Sequence, residues 1–226
     1  MTATLESNLA GVRARIRSAE ARRGGSSPVA LVAVTKSVSP ERAAGLVALG
    51  QRDLGENRVD ELERKAAWFA EHGLAARWHF LGHLQRNKVR RVAKIADVLH
   101  SLDSIALARA LAAAAAESGR TIEVYVQLKL WDEESKTGLS PSGLPELLLE
   151  LAGLPQLRFA GLMAMAPLVP DPAAAQQVFR ELARHARALG PHCRTSMGMS
   201  ADFELAIAEG SDLVRVGGAL FEELGP

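Results

Sequence analysis

The chain alternates between two kinds of segment. Short apolar or β-branched runs at 30–34, 52–54, 77–81, 97–101, 122–128, 157–163, 193–196 and 212–216 are separated by helical patterns at 40–49, 58–72, 86–95, 105–118, 144–151, 173–189 and 202–209. A further helix, with Leu5, Leu9, Val12 and Ile16 on one face, precedes the first run. Such alternation predicts parallel strands, because a parallel pair needs a crossover that a helix supplies. The runs are continuous rather than strictly alternating, as strands buried on both faces are. Eight such units in 226 residues predict a closed (β/α)8 barrel of the TIM type, whose usual length is about 200–250 residues. A doubly wound sheet is the alternative, but the GxGxxG turn that would follow its first strand is absent. No linker interrupts the pattern, so residues 1–226 are expected to form one barrel domain with an extra N-terminal helix.

Composition narrows the function classes. Lys and Arg number 27 against 26 Asp and Glu, a net charge of +1, which argues against wholesale binding of nucleic acid. The basic stretch at 86–94 places Val89, Val92 and Ile95 on one helical face, so its charges are expected on the solvated face. No segment approaches the roughly 18 apolar residues of a membrane span. The N-terminal helix carries arginines among its apolar residues and lacks a signal-peptide core, so the cytoplasm is the expected compartment. Cys193 is the sole cysteine, which excludes an intrachain disulfide and a cysteine metal cluster. His79 and His83 are four apart, but on a strand and loop rather than a helix, so no metal is expected there.

In a barrel, chemistry gathers where strands end and βα loops begin. Lys36 closes the run LVAVTK and is expected at the barrel mouth, where desolvation would make its amine nucleophilic and suited to a Schiff base with an aldehyde. Ser196-Met-Gly-Met-Ser200 and Arg215-Val-Gly-Gly218 follow the seventh and eighth strands, the usual phosphate-holding region of such barrels. Ser200 is expected to cap the helix beginning near Ala201, and Gly217 and Gly218 to let backbone approach an anion. Arg215, between Val214 and Val216, is expected to point into the barrel. Buried there, it needs an acceptor; a structural salt bridge is the plainer expectation. His79 is expected to be either a hydrogen-bonded core histidine or a wall of the site.

VAVTK ending at Lys36, GQRDLGENRVDEL from Gly50, WHFLGHLQRNK from Trp78, DEESKTGL from Asp132, GLMAMAP from Gly161 and SMGMSADFELAIAEGSDLVRVG from Ser196 carry a resemblance over nearly the whole chain. In order and place, they resemble the pyridoxal phosphate homeostasis protein family. The resemblance implies a barrel like the N-terminal domain of alanine racemase, with pyridoxal 5′-phosphate as cofactor. By matching position, it implies Lys36 as the amine of the internal aldimine and Arg215 facing the pyridine nitrogen. Ser200, Gly217 and Gly218 would hold the phosphate, Ser196 and Met199 would lie nearby, and Asn57, His79 and Met163 would line the pocket. Four positions depart from the family's pattern: Lys129 for asparagine, Asp212 for threonine, Gly218 for threonine and Glu222 for glycine.

An arginine at the pyridine nitrogen disfavours a proton there, which makes the ring a weaker electron sink than one facing an acid. Racemases of this type also use a tyrosine from a second domain, and the barrel pattern occupies the whole chain. Tyr125, the single tyrosine, falls in mid-strand. The function expected is therefore intracellular homeostasis of pyridoxal 5′-phosphate by a monomeric, non-catalytic carrier, with pyridoxal-dependent apoenzymes as recipients. The alternatives are a low-activity amino-acid racemase-like enzyme, and a module that engages a partner through 86–94.

Overall fold

The computed structural model describes residues 2–24, 27–131, 137–167 and 171–221. Residues 132–136 of the DEESKTGL segment and Glu222 lie outside them. The order is α1 (Thr2–Arg23), β1 (Ala30–Val34), α2 (Pro40–Ala48), β2 (Asp53–Glu56), α3 (Val59–Glu71), β3 (Arg77–Phe80), α4 (Val89–Ala93), β4 (Val98–Leu102) and α5 (Ile105–Glu117). There follow β5 (Ile122–Gln127), α6 (Leu144–Ala152), β6 (Leu157–Met163), α7 (Pro172–Ala188), β7 (Arg194–Ser196), α8 (Phe203–Ala208), β8 (Leu213–Val216) and α9 (Gly218–Phe221). The eight strands form a closed parallel barrel in sequence order, and β8 pairs with β1.

Local chemistry sets the helix starts. Ser39 accepts from Arg42 N–H at 3.4 Å, ahead of Pro40 at the first helical position of α2, where a missing N–H costs nothing. Ser104 and Asp171 cap α5 and α7 in the same way. The main core lies between the barrel wall and the helices, and includes Leu54, Phe69, Phe80, Leu111 and Phe179. A separate apolar cluster, Val32, Val98, Tyr125, Ala160, Met163 and Leu213, fills part of the barrel interior. The remaining interior is polar: His79, His100, Ser196 and Arg215 are all buried.

Outside the barrel, α1 packs on α2, α8 and α9. Its Leu9, Val12 and Ile16 are buried, and Asn8 Nδ2 donates to the Leu220 carbonyl at 3.2 Å.

Three local expectations need correction. The second strand runs to Glu56 rather than stopping at Leu54; Gly55 pairs with Val34 and His79 in the sheet, and a Cβ there would come within 2.7 Å of Leu81 Cδ1. The helix expected over 86–95 is a 3-10 turn at Arg86–Lys88 followed by the short α4. Ser200 caps no helix: α8 begins three residues later, at Phe203, after Asp202. The described helices include none long and apolar enough to cross a membrane.

Candidate functional site

The first and last strands are hydrogen-bonded neighbours, with Val32 opposite Arg215 and Ala33 opposite Val216. The loops that follow them, carrying Lys36 and Gly217–Gly218, therefore leave the barrel side by side. Gly217 is packed against the end of β1, where an added Cβ would lie 3.2 Å from the Val34 carbonyl oxygen. Ser200, from the β7 loop, accepts from Gly217 N–H at 3.1 Å. Three strand ends thus meet at one place on the C-terminal face.

Lys36 occupies the turn after β1 and its side chain is exposed. The desolvation expected from its place at the strand end is absent, because the apolar stretch stops at Val34 and the turn carries the lysine outward. Thr35 beneath it is fully buried and linked to Glu56 and Lys65. Asn57, just past β2, is exposed; its carbonyl packs so closely on Gly82 that a Cβ there would come within 2.1 Å.

Arg215 points into the barrel, as its alternation with Val214 and Val216 predicts, and is 5% exposed. Its Nη1 donates to Ser196 Oγ at 2.6 Å and its Nη2 to the Ala164 carbonyl at 3.1 Å. Among the described residues no carboxylate lies within ion-pair distance of it, so the plainer expectation of a salt bridge fails. Burial lowers its pKa to about 10, opposed by the nearby charge of Asp202, so it remains a cation at neutral pH. Burial in turn raises the Asp202 carboxyl, which accepts from Met199 N–H at 2.6 Å.

The other expected residues separate into two groups. Met199 and Ser200 lie on the β7 loop, Gly217 links β8 to α9, and Gly218 opens α9 and is exposed. Ser196, Met163 and His79 lie deeper, at 0%, 1% and 1% exposure. Both ring nitrogens of His79 are engaged inside the barrel, with His100 and with Asp53, each at 2.9 Å. The hydrogen-bonded core histidine is thus what the geometry supports. Burial holds its pKa below the ordinary value against the opposing pull of Asp53. Lys129 is half-buried after β5, its N–H bonded to the Leu139 carbonyl.

Sequence reasoning missed His100 and Asp53. His100 is fully buried in β4 and bonds Ser196 Oγ through Nδ1 at 2.9 Å. A signal was present: a lone histidine inside VLHSL, on a strand with every position buried.

Residues 7–224 match the family described as alanine racemase, N-terminal domain. The pyridoxal phosphate homeostasis protein of Deinococcus radiodurans is 44% identical over 212 residues, covering 93% of this chain and 97% of the relative. This chain belongs to the pyridoxal phosphate homeostasis protein family. Another member of the family, that of Escherichia coli, is 40% identical over 221 residues, with 95% and 94% covered. Among solved structures, PipY of Synechococcus elongatus with pyridoxal phosphate bound superposes with a TM-score of 0.85 at 36% identity, over 96% of this chain and all of PipY. The fold expected from the sequence is therefore the family's fold.

The site has a donor set suited to such a cofactor. A primary amine stands exposed after β1, a buried cation without a carboxylate partner among the described residues lies inside the barrel, and Gly217 lets the β8 end pack closely on β1.

Proposed function

We propose that this protein binds pyridoxal 5′-phosphate at the seam between β1 and β8 and serves in control of the free cofactor rather than in catalysis. The observation that supports this reading is the register of those two strands, with Val32 opposite Arg215 and Ala33 opposite Val216. The turn carrying Lys36 and the residue Gly217 therefore follow neighbouring strand ends, in a chain whose relatives are pyridoxal phosphate homeostasis proteins. When bound, the cofactor supplies an aldehyde that condenses with a primary amine, with loss of water, to a Schiff base.

In this reading Lys36 is that amine. Its exposure leaves the amine open to an incoming aldehyde, and pyridoxal-dependent apoenzymes would be the recipients. Arg215 faces the ring nitrogen, and being a buried cation it keeps a proton off that nitrogen. Ser200 and the Gly217–Gly218 backbone hold the phosphate. Asn57 and Met199 flank the site, while Met163, His79 and Ser196 support it from beneath.

Tyr125 does not support a racemase-like activity: it is fully buried, its hydroxyl has no hydrogen-bond partner among the described residues, and burial pushes its pKa up to about 12. In the basic stretch at 86–94, Arg90 pairs with Glu117, and Arg91 with Asp60 and Glu63, so these two arginines are already engaged on this chain's own surface. The protein works in this reading as a cytoplasmic monomer of one barrel domain.

The test is optical and chemical. Protein incubated with pyridoxal 5′-phosphate is expected to turn yellow, and borohydride is expected to fix the pyridoxyl group on the Lys36 peptide in mass analysis. Lys36→Ala should abolish both. A colourless protein, or a label spread over other lysines, overturns the proposal.

A further inference from the structure

A continuous line of hydrogen bonds crosses the barrel from the C-terminal side to the N-terminal face. Arg215 Nη1 lies 2.6 Å from Ser196 Oγ. Ser196 Oγ is 2.9 Å from His100 Nδ1, and His100 Nε2 is 2.9 Å from His79 Nδ1. His79 Nε2 is 2.9 Å from Asp53 Oδ1. The line ends at a carboxylate 37% exposed on the opposite face. There Arg77 lies 3.5 Å from the same oxygen and 3.2 Å from Glu123, at the edge of a concavity of about 860 Å³.

When both imidazoles are neutral, the two ends determine the direction of every link. A guanidinium donates and cannot accept; an ionised carboxylate accepts and cannot donate. Burial raises the Asp53 carboxyl, but the contacts with His79 and Arg77 outweigh it and keep the group ionised. His79 must then carry its proton on Nε2, leaving Nδ1 to accept. His100 must also carry its proton on Nε2, leaving Nδ1 to accept from the Ser196 hydroxyl. The serine oxygen accepts from Arg215. With both imidazoles neutral, this is the one arrangement that satisfies all four links. Burial lowers the pKa of each, for His100 well below its ordinary value. Aligned donors polarise one another, so part of the Asp53 charge is felt at Arg215, which has no carboxylate partner of its own among the described residues.

We propose that Asp53 is a positioning residue for the cofactor site: through His79, His100 and Ser196 it fixes the orientation and proton inventory of Arg215 from the far face of the barrel. The optical consequence rests on the proposed binding of pyridoxal 5′-phosphate; the proton arrangement does not. An asparagine at position 53 can donate as well as accept, which removes the constraint that gives the line one direction.

The test begins with long-range proton–nitrogen correlation spectra of protein labelled with 15N in histidine and arginine, free of cofactor and near neutral pH. His79 and His100 should both appear as neutral rings protonated on Nε2. In Asp53→Asn the shift changes should extend past His79 to His100 and to the Arg215 side chain. After addition of pyridoxal 5′-phosphate, the absorption maximum of Asp53→Asn should be displaced in the same direction as that of Ser196→Ala. It should stay unchanged in Glu150→Gln, which alters a surface pair with Arg109.

A ring protonated on Nδ1, a charged ring, or an Asp53→Asn effect confined to His79 would overturn the inference. The ring measurement uses the unaltered chain, so it judges the inference even if the variants fail to fold. If no cofactor binds, the binding proposal fails while the ring measurement still decides this one.

Discussion

Lys65 Nζ lies 2.5 Å from Glu56 Oε1, and neither side chain is reached by solvent. The same ammonium donates to the Thr35 carbonyl at 2.5 Å, and the Thr35 hydroxyl donates to the same carboxylate oxygen at 2.5 Å. One buried ion pair thus ties α3, the end of β2 and the residue before Lys36. Removing one partner of such a pair costs about 3–5 kcal/mol, because the other charge is left uncompensated. Lys65→Met is expected to lose that much in urea unfolding, and the double variant with Glu56→Gln to recover most of it. A single variant within about 1 kcal/mol of the parent, the level of an exposed ion pair, would show that the pair is hydrated.

Stability should fall as the pH drops below 6.5. The folded chain holds His79 and His100 below their ordinary value of 6.5, so the unfolded chain takes up protons that the folded chain refuses. Since the unfolded state binds more protons in that window, folding stability rises with pH up to 6.5 and levels off above it. Each histidine contributes at most about 1.4 kcal/mol per pH unit. Urea midpoints at pH 7.5, 6 and 5 provide the measurement; equal midpoints would mean that the buried rings carry protons.

Ser200→Ala removes the acceptor of the Gly217 N–H. Pyridoxal 5′-phosphate affinity is expected to fall by about 0.5–1.5 kcal/mol, roughly 2- to 12-fold in Kd. The absorption maximum of the bound form should be unaltered if the serine holds the phosphate as proposed. Spectral titration separates the two; a moved maximum with unchanged affinity would place Ser200 at the ring.

Gly198 has φ +93°, and a Cβ there would approach Phe203 Cα to 2.9 Å and Ala206 Cβ to 2.6 Å. Its carbonyl also accepts from Arg215 N–H at 3.0 Å. Gly198→Ala combines backbone strain with overpacking, for an expected loss of about 2 kcal/mol or more, read from the thermal midpoint. A neutral result would mean that the β7 loop relaxes without cost.

The barrel was legible because its signal repeats: each apolar run followed by a helical period fixes a βα unit, and the strand ends then nominate Lys36, Arg215 and Gly217. Polar positions inside strands were less legible. Glu56 and Gly55 carry no apolar signature, so β2 read short. Ser200 has the composition of a helix cap but spends its hydroxyl on Gly217, a contact between loops that no local pattern encodes. His79 reads as a single histidine, and the pairing of β3 with β2 and with β4 sets Asp53 and His100 on either side of it.

The pairing of the first strand with the last has a consequence for synthesis. On the ribosome, Lys36 emerges early, whereas Arg215 and Gly217 are made about 180 residues later. Until β8 closes against β1, the amine stands on a chain that lacks the other two members of the proposed site. If that site is the binding site, an unfinished chain is expected not to retain the cofactor, and uptake would report that the last strand has been made and has closed.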